Sequence, residues 1–92
     1  MGKAIELKAK DGFTLGAYRA DPAGTPKGAI VVIQEIFGVN KHIRTVCDRF
    51  AEQGYLSVSP AIFDRGRRNV ELGYDKASIA EGVKIRAGLD LD

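Results

Sequence analysis

The residue in this sequence best placed to do chemistry is a carboxylate delivered by an apolar run. Val31-Val32-Ile33-Gln34-Glu35-Ile36-Phe37-Gly38-Val39-Asn40 carries a stretch suited to a sheet interior directly to Glu35. Burying an unpaired carboxylate costs several kcal/mol, or the group takes up a proton. Glu35 therefore needs a partner, a raised pKa or water. On these residues alone two roles stay open: a structural one, bonding nearby backbone amides, and an active-site one. The main chain supplies a second candidate. An N–H just past a strand end, in a turn leading to a helix, can aim at negative charge developing on a substrate. Ile36 holds that position.

Other residue types with chemical potential sit in plainer contexts. Cys47 is the single cysteine. It lies in Val46-Cys47-Asp48, on the apolar face of a predicted helix, where a thiol packs as a small hydrophobe. One cysteine also excludes an internal disulfide framework and a multi-cysteine metal site; no metal or cofactor is expected. His42, the one histidine, falls in the first turn of the same helix and reads as a surface or capping residue. Ser57, Ser59 and Ser78 lack the sharp strand-to-helix elbow that exposes a nucleophile. Arg65, Arg67 and Arg68 form the one basic cluster, read as a solvated loop, with a grip on an anionic ligand as the lesser alternative.

The elements that must position Glu35 follow from patterning. Ala4 to Ala9 and Phe13 to Arg19 alternate apolar with polar around Asp11-Gly12, which predicts a hairpin of antiparallel outer strands. Asp21 to Gly28, with two prolines and two glycines, is a loop. Ala29 to Ile33 is apolar without alternation and predicts a strand covered on both faces. Asn40 is a good N-cap. Ile43, Val46, Cys47, Phe50 and Ala51 then recur at helical spacing up to a C-terminal Gly54. Tyr55 to Ser59 is a further strand, ended by Pro60. Strand, helix and strand in this order make a βαβ unit. Phe63 to Gly73 reads as a loop. Asp75 can cap a helix over 76–87, with Ile79, Val83 and the Arg86 stem inward, although Gly82 costs such a helix about 1 kcal/mol against alanine. The fold class is α/β.

At these residues the chain becomes recognisable. Gln34-Glu35-Ile36-Phe37-Gly38-Val39-Asn40, a helix carrying Arg44, then Gln53-Gly54-Tyr55 and Pro60-Ala61-Ile62-Phe63 closely resemble the dienelactone hydrolase family. The opening hairpin fits as well. The resemblance implies the N-terminal portion of an α/β-hydrolase fold: a β-hairpin, a βαβ unit and a C-terminal helix, together a single incomplete domain. It implies cleavage of carboxylic esters or lactones by a Cys-His-Asp triad. Carried over, Glu35 is the glutamate that contacts the nucleophilic cysteine and helps generate its thiolate, and the Ile36 N–H is one half of the oxyanion hole. A thiol needs a base to become a nucleophile, and a tetrahedral oxyanion needs fixed donors. The family's nucleophile lies on a Gly-x-Cys-x-Gly elbow, and these 92 residues contain none.

Composition bounds the partners. With 92 residues one domain is the limit, and 45% hydrophobic with 28% charged residues is globular rather than disordered. Fourteen Lys+Arg against twelve Asp+Glu leave a net charge of +2, too balanced to argue for nucleic acid or an anionic membrane surface. No apolar run approaches the roughly 18 residues of a membrane helix, and the start lacks a signal-peptide pattern, so cytoplasmic is the default location. In the implied fold the Ala29–Ile33 strand has one edge without a neighbour, a template for pairing. A homo-oligomer, or a complementing C-terminal chain, is expected. The alternative to catalysis is a non-catalytic truncated module that self-associates through this edge.

Overall fold

The structure, a computed structural model, describes residues 2–89. Strands β1 (Lys3–Lys8) and β2 (Thr14–Ala20) pair antiparallel, with Ile5 opposite Ala17 and Leu7 opposite Leu15. The alternation therefore did fix the register: facing pairs place these apolar side chains on one face. The connection is wider than a two-residue turn. Ala9 N–H donates to Phe13 O, Gly12 N–H donates to Ala9 O, and Gly12 takes φ +90°, a conformation glycine adopts without steric cost.

Strand β3 (Ala29–Val31), helix α1 (Lys41–Glu52) and strand β4 (Leu56–Pro60) form the expected βαβ unit, with β3 and β4 parallel. The sheet order is β1-β2-β4-β3. This puts β3 at an edge among the described residues, and the expectation of a strand covered on both faces is corrected by its side chains. Val31 and Ile33 are 64% and 62% exposed, because among the described residues nothing packs over their side of the strand. Val32, on the opposite side, is partly buried against Ala20, Cys47 and Ala51. Pairing continues one residue beyond β3, where Val32 N–H donates to Val58 O at 2.9 Å.

Helix α1 begins where Asn40 Oδ1 accepts from Ile43 N–H, satisfying one of the helix's orphan donors. Past its end Gly54 takes φ +98°, the left-handed stop seen at many helix termini. Its buried face, Ile43, Cys47 and Ala51, covers β2 and β4. Tyr18 O–H, on β2, donates to Asp48 Oδ1 and accepts from Gly2 N–H. Burial, followed by the Asp48 bond, raises the Tyr18 pKa.

The segment read as a loop from Phe63 contains a short 3₁₀ turn, Ile62–Arg65, with Phe63 buried. Asp64 Oδ2 accepts Gly16 N–H at 2.7 Å and Gly16 O accepts Ala61 N–H at 2.8 Å, tying this turn to β2. Helix α2 (Lys76–Ala87) is capped by Asp75, as its sequence suggested. Its inward face is a correction. Ile79 and Val83 are each 40% exposed, whereas Gly82 is the buried residue. A Cβ at Gly82 would overlap the Ile36 carbonyl oxygen, so this helix seats through a missing side chain rather than through an apolar stripe.

Candidate active site

The turn after β3 is built from its own main chain. Gly38 N–H donates to Glu35 O at 3.1 Å, and Gly38 takes φ +89°. Phe37 O accepts Leu72 N–H at 2.8 Å, which joins the turn to the segment before α2. The Gly38 backbone lies close enough to Val70 that a Cβ would overlap the Val70 carbonyl oxygen. Arg44 of α1 closes the same region, bonding Val39 O at 2.9 Å and Glu71 Oε1 at 2.9 Å. That bond holds the Glu71 carboxyl below its ordinary range and raises the Arg44 guanidinium. The ring of Phe37 meets Tyr74 edge-on with centroids 4.4 Å apart, a favoured aromatic geometry.

Glu35 and Ile36 line one open cleft of about 560 Å³, with Ile33, Gln34, Phe37, Ile62, Phe63, Arg86 and Leu89. The walls are mainly apolar, the usual character of a small-molecule site. Glu35 is exposed. The cost of burying its carboxylate therefore does not arise. Among the described residues no backbone amide bonds that carboxylate. The Ile36 N–H likewise has no acceptor among the described residues. Its direction is set, because in a trans peptide the N–H points opposite to the C=O. With Glu35 O held by Gly38 N–H, the Ile36 N–H points away from the turn's own bond.

One residue passed over in sequence is prominent here. Gln34 Nε2 donates to Glu35 O at 2.9 Å, and Gln34 Oε1 accepts Phe63 N–H at 3.3 Å. Only the QEIFGVN pattern could have drawn attention to it, and that pattern assigns it no task.

The remaining sequence candidates are not brought to this cleft. Cys47 is fully buried on the inner face of α1 and its thiol pKa is raised, chiefly by that burial, the condition of an inert thiol. His42 is exposed in the first turn of α1. The arginine cluster is tied to carboxylates: Arg65 to Asp11 at 2.8 Å, Arg67 to Glu81 at 2.7 Å and Arg68 to Asp64 at 3.6 Å. Arg65 and Arg68 also lie 4.6 and 5.0 Å from the Phe13 ring centre. The cluster, read as a solvated loop, thus spends its charge on the chain's own carboxylates, which weighs against the anion grip. No group of acidic, His or Cys residues with metal-binding geometry occurs among the described residues, and no helix there is long and apolar enough to cross a membrane.

An exposed carboxylate and an N–H without an acceptor thus stand at the carboxyl end of a strand in an α/β fold, the side of an open sheet where ligands gather. Comparison with known proteins names the family. Residues 15–87 match the dienelactone hydrolase family, and the chain belongs to it. It is 40% identical over 91 residues to the carboxymethylenebutenolidase of Pseudomonas putida, covering 98% of this chain and 39% of that protein. A relative in Azospirillum brasilense, provisionally given the same name, is 48% identical over 69 residues, covering 74% of this chain and 30% of its own length. A crystal structure from Klebsiella pneumoniae, provisionally a dienelactone hydrolase, superposes with a TM-score of 0.66 at 31% identity, covering 89% of this chain and 35% of that one. The chain thus spans 30% to 39% of the curated relatives just described.

Proposed function

We propose that these residues form the carboxylate and oxyanion-binding part of an enzyme that hydrolyses carboxylic esters or lactones. In this reading Glu35 acts as the base that helps generate a cysteine thiolate, and the Ile36 N–H donates to the oxyanion of the tetrahedral intermediate. The nucleophile, its histidine and its aspartate come from residues outside these 92. The supporting observation is that Glu35 and Ile36 share an apolar cleft, with a carboxylate that no backbone amide engages among the described residues and a free N–H turned away from its own turn. A family relative named for carboxymethylenebutenolide, a lactone, agrees in substrate class. The substrate is small, the location cytoplasmic, and neither nucleic acid nor a membrane is a partner. A complementing C-terminal chain, or the rest of one domain, covers the open side of β3.

The test is reconstitution. The chain is co-expressed with the C-terminal portion of a family member that carries a Gly-x-Cys-x-Gly elbow, and p-nitrophenyl acetate cleavage is followed. Cleavage that requires both pieces supports the reading; no cleavage by a purified, stable complex defeats it.

A second reading rests on the exposed side chains of Val31 and Ile33 beside an unpaired strand edge. Such an edge favours self-association, and a non-catalytic homo-oligomer would use it. Light scattering on the 92-residue chain separates the two. An oligomer without esterase activity after complementation supports this reading, and a stable monomer opposes it.

A further inference from the structure

We propose that Gln34 is a positioning residue for the Ile36 N–H: its side-chain amide fastens the Glu35–Ile36 peptide to the 3₁₀ turn and so aims the donor. The inference deepens the hydrolase reading and rests on Ile36 serving the oxyanion.

The argument follows one chain of bonds. Asp64 and Ala61 fix the 3₁₀ turn to β2 through Gly16. Phe63 N–H, on that turn, donates to Gln34 Oε1, and Gln34 Nε2 donates to Glu35 O. Reversing the amide would set donor against donor and acceptor against acceptor, so both contacts define one orientation. Glu35 O then receives two donors, Gln34 Nε2 and Gly38 N–H, which occupy the two lone pairs of a carbonyl. Rotation of that peptide would break both bonds together. The Ile36 N–H belongs to the same planar unit and moves with it. An oxyanion donor works because it is fixed before charge develops. A glutamine at this position thus does through its side chain what the turn's single main-chain bond does incompletely.

Two substitutions separate the contributions. Gln34→Met fills similar space and removes both bonds. Gln34→Glu keeps an acceptor for Phe63 N–H and, as a carboxylate, removes only the donor to Glu35 O. In 1H–15N spectra of the 92-residue chain, both variants should shift the Ile36 amide signal while those of Cys47 and Ala51 stay in place. In the reconstituted enzyme, both should lower kcat about 10- to 100-fold, short of losing a donor outright. KM should stay within about twofold, since the donor acts in the transition state. An Ile36 signal unmoved in both variants overturns the proposal, as does a kcat equal to wild type. A wild-type complex that cleaves no ester overturns the hydrolase reading and this inference with it, whereas an active wild type matched by Gln34→Met overturns this inference alone.

Discussion

Gly82 of α2 rests against the carbonyl of Ile36, closely enough that a methyl group on Gly82 would overlap that oxygen. A helix interior disfavours glycine, so its presence there has a packing reason. The glycine lets α2 lie on the turn that carries Glu35 and Ile36, although Ile36 and Gly82 are far apart in sequence.

This contact gives the first prediction. At an open helical position, Gly82→Ala would stabilise by up to about 1 kcal/mol. Here the overlap costs about 1–3 kcal/mol, and the overlap wins. The urea midpoint of the chain should fall, and the Ile36 amide signal should shift. A raised midpoint would show that α2 does not seat on Ile36.

Gly38 is a second place where backbone approach excludes a side chain. It combines φ +89° with a carbonyl contact to Val70. Strain of this kind costs about 1–3 kcal/mol before any overlap is counted. Gly38→Ala should therefore destabilise more than Gly24→Ala, a glycine with open space around it. Equal urea midpoints for the two variants would contradict the turn geometry.

Cys47 should be silent in chemistry and audible in stability. A thiol reagent such as DTNB should react with it only on unfolding, because the residue is fully buried. Cys47→Ala should cost about 1–2 kcal/mol as a small core cavity and leave ester cleavage by the reconstituted enzyme unchanged. Rapid labelling of the folded chain would contradict this.

Acid should loosen the hairpin loop. The Arg65 bond, followed by the Phe13 N–H, lowers the Asp11 pKa from 3.8 to about 2. A carboxyl lowered in the folded state lends stability that is present above 3.8 and lost as pH falls toward about 2. Glu71, held by Arg44, and Asp75, held by Ser78, are shifted the same way. The Asp11 carboxyl carbon, followed by NMR, should titrate near 2, and in Arg65→Ala it should move up toward 3.8 while staying below it, because the Phe13 N–H still bonds the carboxylate. A wild-type midpoint near 3.8 would contradict the pairing.

Much of the frame was legible because local patterns and fold agree. Period-two alternation located β1 and β2, Asn40 and Gly54 bounded α1, and Asp75 marked the start of α2. The QEIFGVN stretch pointed to the family and to Glu35. What escaped depends on contacts between distant residues. An apolar run such as Ala29 to Ile33 says that burial is favourable, not which neighbours supply it, and its Val31 side is bare here. The inward face of α2 escaped because periodicity counts apolar side chains, and the seating residue has none. Gln34 escaped because its two partners, Glu35 O and Phe63 N–H, are main-chain atoms that leave no mark on composition.

The most direct measurement of the central claim is kcat/KM for p-nitrophenyl acetate in the reconstituted complex, with Glu35 compared against Glu35→Gln. Glutamine keeps the volume and removes the base. If Glu35 prepares the thiolate, the substitution should lower kcat/KM at least about tenfold without changing assembly of the two pieces. An unchanged kcat/KM in Glu35→Gln would show that the carboxylate at the end of β3 takes no part in the reaction.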